Sequence, residues 1–180
     1  EDVIKAAAKK QALEGDVRAA QGAVESAERS VDAARQKVAE ANRLVENAQA
    51  EVDRLIKKLN QDSNTAQELF EQADNLEKFR LDYERQGLEV PTWCSTAEIT
   101  KLRNQAQDAL DSSAEWSRQA TIANQTLLTR QEELLGYQRS LSNEQLILQF
   151  RQNALALKNA EYQGADADYT DALTNLNIEM

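Results

Sequence analysis

The fold of this chain is decided by the stretch from residue 17 to residue 59, VRAAQGAVESAERSVDAARQKVAEANRLVENAQAEVDRLIKKL. Apolar residues recur in it at alternating spacings of three and four, which is the heptad repeat of a coiled coil. The pattern extends back to the N-terminus, and with Val3 as position a, the a positions are Val3, Lys10, Val17, Val24, Val31, Val38, Val45, Val52 and Leu59. The d positions are Ala6, Leu13, Ala20, Ala27, Ala34, Ala41, Ala48 and Leu55. Only Lys10 departs from the pattern, which therefore predicts one long helix with a narrow apolar seam.

The composition of the whole chain favours helices throughout. Its 180 residues include five glycines and one proline, and aromatic residues make up 5%. Alanine, glutamine, glutamate and leucine dominate, and these residues lose little conformational freedom in a helix. A chain with so few large apolar residues fills only a thin core, so we expect an elongated all-α protein of the coiled-coil type.

Residues 60–65, Asn-Gln-Asp-Ser-Asn-Thr, are the weakest part of this predicted helix. They are poor helix formers, and Thr65 and Glu68 have the spacing of a capping box that would start a new helix. Beyond them the heptad register nevertheless continues without a shift, at Ala66, Leu69, Ala73 and Leu76. Because a loop is not expected to preserve the register, we predict one continuous helix over about residues 2–86.

The break in the helical pattern lies at residues 87–95, Gly-Leu-Glu-Val-Pro-Thr-Trp-Cys-Ser. Gly87 suits the position just after a helix, and Pro91 cannot continue one. Ser95 and Glu98 then have the capping-box spacing that opens the next helix. A turn at 87–95 is therefore predicted, close to the midpoint of the chain.

After the turn the apolar pattern resumes at Ile99 and predicts a return helix over about residues 96–163. Gly164 and Asp166 indicate a stop, followed by a short C-terminal helix over about 166–178. Two arms of similar length on either side of one turn predict an antiparallel helical hairpin that forms a single elongated domain over residues 1–180.

The return helix also carries apolar residues outside its main stripe, at Ile122, Leu128, Leu135, Leu146, Ile147, Phe150 and Leu157. A helix that is apolar on two faces needs two partners. Two explanations stay open: the chain folds back at 60–65 or 140–143 into a three- or four-helix bundle, or a second molecule covers the extra face. In the second case the candidate assembly face consists of Leu128, Leu135, Ile147, Phe150 and Leu157.

The charge distribution disfavours two classes of partner. The net charge is -10, and residues 61–100 alone carry nine acidic and three basic side chains. Nucleic-acid-binding proteins and anionic lipid surfaces both call for a basic face, so neither is an expected partner. No stretch approaches the roughly 20 apolar residues of a membrane span, so no membrane insertion is expected.

The chain lacks the residue types that most enzymes and metal sites use. It contains no histidine, which removes the usual base of nucleophilic catalysis and the commonest metal ligand. The acidic cluster that begins at Asp166 fails the calcium-loop pattern, because Asp171 stands where glycine is required and Asn177 where glutamate is required. We therefore expect a protein that is not an enzyme and that binds no metal and no cofactor.

The most suggestive cluster of residues lies in the turn itself, where Trp93 is accompanied by Leu88, Val90, Pro91 and Cys94. Exposed aromatic residues often anchor protein interfaces, so these five residues are the candidate partner-binding site. The alternative is that Trp93 folds back over the end of the hairpin as a lid. Cys94 is either a structural residue or an exposed thiol that can form an intermolecular disulfide.

The Ala/Leu heptads and the central turn resemble the hairpins of bacterial periplasmic adaptor proteins. Leu88 and Ser95 have the spacing of two residues at the tips of those hairpins, although Glu84 stands where the tips carry an arginine. The receptor-binding hairpins of colicins and the helical surface antigens of trypanosomes are similar in architecture. These resemblances imply an extracytoplasmic or cell-surface protein.

Three hypotheses for the function follow. The first is a rigid helical hairpin that presents residues 87–95 to a protein partner, with Asp82, Glu84 and Glu89 selecting a basic rim on that partner. The second is a structural coiled-coil protein that self-associates through the extra apolar face within residues 122–157. The third is a compact bundle that holds a small ligand between its helices.

Overall fold

The chain forms two long helices joined by one turn. In the computed structural model, which describes residues 1–179, helix α1 is Asp2–Arg85 and helix α2 is Thr96–Glu179. A single 3₁₀ turn, Thr92–Cys94, lies between them, and residues 1–179 contain no β-strand. The two helices pack against each other, which confirms the predicted all-α helical hairpin.

The heptad register of α1 describes its packing along the whole helix. From Val3 to Tyr83, no a or d position is exposed, whereas most of the positions between them are. The most deeply buried of them include Val31, Leu55, Ala66 and Ala73. In α2 the same holds for every a position from Ile99 to Tyr169, counted with Ile99 as a.

Residues 60–65 are helical, as the unshifted register predicts. Thr65 does not cap a new helix, since its hydroxyl donates to the carbonyl oxygen of Gln61 at 3.0 Å, within α1. Asp62 occupies a d position and accepts a hydrogen bond of 2.8 Å from Nε1 of Trp116 in α2. Because neither 60–65 nor 140–143 interrupts a helix, the folded-back bundle is not formed.

The predicted end of the return helix near residue 163 is wrong, and so is the separate C-terminal helix over 166–178. Helix α2 continues through Gly164 to Glu179, and Ala165 is buried against α1. Lys10 lies across the seam, with Nζ 2.7 Å from a carboxylate oxygen of Asp166 and 5.1 Å from the ring centre of Tyr169. These contacts stabilise the part of α2 around residues 164–166, where glycine and aspartate by themselves would weaken the helix.

The contacts divide the chain into two units. The turn unit is Arg43–Glu132, and the terminal unit combines Glu1–Asn42 with the residues from Glu133 onward. Each unit contains a part of α1 packed against a part of α2. The expectation of a single domain stays a prediction.

Candidate contact surface at the turn

Helix α1 ends in a hydrogen-bonded glycine cap. Gly87 has a φ of 67°, in the left-handed region, and its amide donates to the carbonyl oxygen of Glu84 at 3.1 Å. The amide of Leu88 reaches back to the carbonyl oxygen of Tyr83 at 2.9 Å. This pair of bonds is the Schellman motif, and glycine adopts its left-handed position at little cost. The cap fixes the direction in which the chain leaves α1.

The turn enters α2 through a second cap. The Cys94 amide donates to the Pro91 carbonyl oxygen at 3.2 Å, and the Ser95 amide donates to that of Thr92, also at 3.2 Å. The hydroxyl of Ser95 accepts a 3.3 Å hydrogen bond from the amide of Glu98, so the serine predicted as the N-cap serves as one. Both ends of the turn are thus held by hydrogen bonds of the chain itself.

Trp93 is partly packed against the helix and partly exposed. Its ring makes edge-to-face contacts with Phe79, at 5.4 Å between ring centres, and with Tyr83, at 6.4 Å. These contacts fold the indole back against α1, as expected of a lid. The residue is nevertheless 49% exposed, so about half of its surface remains available to a partner.

The apolar surface at the turn is larger than the sequence predicts. Leu88 is 52% exposed, whereas Val90 and Pro91 are partly shielded. Phe79, which sequence reasoning missed, is 51% exposed and lies directly beside Trp93. Its position four residues before Tyr83 places both rings on one side of α1, which is the signal that could have identified it. We call Phe79, Leu88, Val90, Pro91 and Trp93 the turn patch.

Cys94 is not part of the turn patch. The residue is fully buried, and its Sγ lies 3.7 Å from the carbonyl oxygen of Pro91. The interpretation of Cys94 as an exposed thiol that forms intermolecular disulfides is therefore wrong. Its side chain fills space beneath the turn, where a small apolar group is required.

The acidic residues near the turn are largely paired within the chain. A carboxylate oxygen of Glu84 lies 2.7 Å from Arg80, and one of Asp82 lies 3.8 Å from Arg85. These pairs reduce the net charge that Glu84 and Asp82 present to a partner. Among the three acidic residues expected to select a basic rim, this leaves Glu89 as the stronger candidate.

One salt bridge joins the two helices just below the turn. The carboxylate of Glu77 accepts hydrogen bonds from Arg80 in α1 and from Arg103 in α2, and Arg103 also lies 3.5 Å from Asp74. The pKa of the Glu77 carboxyl is held below its usual value, mainly by the hydrogen bond from Arg80 and to a smaller extent by the one from Arg103. Both hydrogen bonds favour the ionised carboxylate.

The five residues of the predicted assembly face are all exposed in α2. Leu128 belongs to the turn unit, whereas Leu135, Ile147, Phe150 and Leu157 belong to the terminal unit. None of them is covered by α1. Exposed large apolar side chains such as these often mark interfaces.

The acidic side chains outside the turn lie mostly on the surface. Two groups of acidic residues that lie close together in the sequence of α2, Asp108 with Asp111 and Glu132 with Glu133, are exposed. Among residues 1–179, no group of three or more acidic or cysteine side chains is arranged to hold a metal ion. In the same residues, neither helix has a segment apolar enough to cross a membrane.

Fold and site together define an all-α helical hairpin with a structured, partly apolar turn. Comparison with protein families, with curated proteins and with solved structures finds no match to this chain. Its function is therefore argued from the geometry of the turn and of the helix faces.

Proposed function

We propose that this protein is a non-catalytic interaction module whose hairpin presents the turn patch to a protein partner. The observation that carries the proposal is the state of Trp93, which is held by two aromatic rings and yet is 49% exposed. A tryptophan that is already fixed in place loses little conformational entropy when it binds. This is the usual character of the anchor residue of an interface.

The surroundings of Trp93 favour a protein as the partner. Phe79, which lies beside the indole, and Leu88, which lies in the same turn, add to the apolar area, and both are about half exposed. The nearby charges form pairs, such as Arg80 with Glu84, that give the patch a polar rim. An apolar centre with a polar rim is the common anatomy of protein interfaces.

The caps on either side of the turn supply the rigidity that the proposal needs. Gly87 closes α1 and Ser95 opens α2, so the loop between them is short and hydrogen-bonded at both ends. Burial of Cys94 anchors its centre. Within the turn unit, the seam between α1 and α2 supports the patch, and this geometric role requires no chemistry. A cell-surface location stays a prediction.

Affinity capture from the cells that naturally make the protein tests the proposal. Leu88→Asp places a charge in the turn patch, and Leu128→Asp is its matched control. Both leucines lie in the turn unit and both are 52% exposed. We expect a protein that wild type and Leu128→Asp retain and that Leu88→Asp loses.

Circular dichroism of each variant checks that the helices are intact. If Leu88→Asp retains every protein that the wild type captures, the turn patch is not the contact surface. Equal loss with Leu88→Asp and Leu128→Asp also speaks against the proposal, since the contact would then not be specific to the turn.

A further inference from the structure

The outer side of α2 in the terminal unit carries a second heptad series. With Ile99 as position a, the c and f positions lie opposite the seam that faces α1. Between residues 146 and 164 they are separated alternately by four and three residues, at Leu146, Phe150, Asn153, Leu157, Ala160 and Gly164. We call these six residues the outer strip. All of them are exposed, and Leu146, Phe150 and Leu157 are 65%, 67% and 61% exposed.

The outer strip lacks the charges that a solvated helix face carries. Although 29% of the residues in the chain are charged, no Asp, Glu, Lys or Arg occupies a b, c or f position between residues 140 and 170. The polar face of a surface helix is normally the charged one. An uncharged face with heptad spacing is instead typical of a seam that packs against another helix.

The residues of the outer strip change in size along the helix. Leu146 and Phe150 stand at one end, and Ala160 and Gly164 stand at the other. We propose that the outer strip binds the outer strip of a second copy of this chain in antiparallel orientation. In this pairing Phe150 lies opposite Ala160 of the second copy, Leu146 lies opposite Gly164, and Asn153 lies opposite Leu157.

Steric complementarity and symmetry favour a second copy of the chain in antiparallel orientation as the partner of the outer strip. In an antiparallel pair with a two-fold axis at the level of Leu155, the end of each strip with large side chains packs against the end of the other strip with small ones. The two-fold symmetry makes both of these contacts identical. A parallel pair would set Phe150 against Phe150 and Gly164 against Gly164, which crowds one end and leaves a gap at the other. The net charge of -10 opposes self-association in general, but the outer strip contributes nothing to it.

Gly164 supports a closely approaching partner. Its φ is not positive, and, as at the other glycines inside the helices, a Cβ built on it would meet nothing within 4 Å. The chain itself therefore has no steric need for glycine there, although glycine weakens the interior of a helix. Leu146 of a second copy would occupy the space that the missing side chain leaves.

Sedimentation equilibrium of four proteins tests the pairing: wild type, Phe150→Lys, Ala160→Glu and the double variant. We expect wild type to dimerise, and each single substitution to weaken the dimer at least about tenfold by placing an unpaired charge in the seam. In the double variant each new lysine faces a new glutamate of the other copy, so most of the lost affinity should return. Positions 150 and 160 are about 15 Å apart along one helix, so the new charges cannot pair within a copy.

Leu110→Lys is the control, because Leu110 is an exposed leucine of α2 that belongs neither to the outer strip nor to the predicted assembly face. It should leave dimerisation unchanged. A wild type that stays monomeric up to high micromolar concentration overturns the proposal, even if another protein is found on the outer strip. So does a double variant that dimerises no better than the single variants, because the antiparallel register requires the rescue.

Discussion

Trp93 shows how one residue serves both the hairpin and its proposed partner. The edge-to-face contacts of its ring with Phe79 and Tyr83 stabilise the turn. About half of the surface of Trp93 is exposed, and this is the part that the proposed partner would contact. The sequence places a tryptophan in the turn but does not show how much of it is shielded. That depends on Phe79, which lies fourteen positions earlier in α1.

Trp93→Ala should lower the free energy of unfolding by about 2 kcal/mol, because it removes two edge-to-face aromatic pairs that each contribute roughly 1 kcal/mol. Trp93→Phe keeps a ring at this position and should lose less. Urea denaturation followed by circular dichroism measures both changes. A loss above about 3 kcal/mol would mean that Trp93 acts as a core residue of the turn rather than as a half-exposed anchor.

The salt bridge of Glu77 with Arg80 and Arg103 should make the stability of the protein depend on pH. Its hydrogen bonds with Arg80 and Arg103 hold the pKa of the folded-state carboxyl below the ordinary value of 4.5. The stabilisation is therefore complete above the unfolded-state pKa and is lost as the pH falls through the lowered folded-state pKa. Between about pH 5 and about pH 3, wild type should lose more stability than Glu77→Gln.

The measurement is thermal unfolding at a series of pH values. Glu89→Gln is the matched control, because Glu89 lies in the turn outside both helices. It should follow the wild-type curve. Parallel pH curves for wild type and Glu77→Gln would show that the salt bridge across the helices does not stabilise the protein.

At the scale of the helices, the heptad register predicted more than the individual residue types did. The register predicted that α1 continues through residues 60–65, although the Asn, Asp and Ser residues there disfavour a helix, and α1 is continuous there. The same argument applies at Gly164, because Ala165, Tyr169 and Ala172 continue the seam of α2 in phase. The prediction of a break there was wrong because it weighed the glycine and the aspartate above the register.

A matched pair of glycine substitutions tests the end of α1 at Gly87 and the continuity of α2 at Gly164. Gly87→Ala should destabilise the protein by about 1 kcal/mol, because alanine is strained at a φ of 67°. Gly164→Ala should stabilise it by about 0.5–1 kcal/mol, because the site is helical and has room for a Cβ. Chemical denaturation at low protein concentration measures both. Destabilisation by Gly164→Ala would indicate that α2 breaks at that residue after all.

The exposed surfaces were harder to predict than the helices. The seam of a coiled coil follows from spacing alone, so the a and d positions could be identified in advance. Whether Cys94 points into the turn or out of it is decided by the 3₁₀ geometry of Thr92–Cys94, which has no periodic signal. The extra apolar face of α2 was visible in the sequence, but its heptad order appears only when the main seam has been located.

At the scale of the whole molecule, each unit carries an exposed apolar surface for which we propose a partner. The turn unit carries the turn patch around Trp93, and the terminal unit carries the outer strip from Leu146 to Gly164. The two proposals are independent, because a substitution in one surface should leave the other intact. Together they describe a protein that pairs with itself at one surface and contacts a different protein at the other.

Site-specific photo-crosslinking in the cells that naturally make the protein tests the central claim most directly. A photoreactive amino acid replaces either Leu88 in the turn patch or Leu128 outside it, two leucines of equal exposure. The account predicts a crosslink to one distinct protein from position 88, none from position 128, and a loss of the product when Trp93→Ala is added. The same product from both positions, or a product from position 128 alone, would contradict the account.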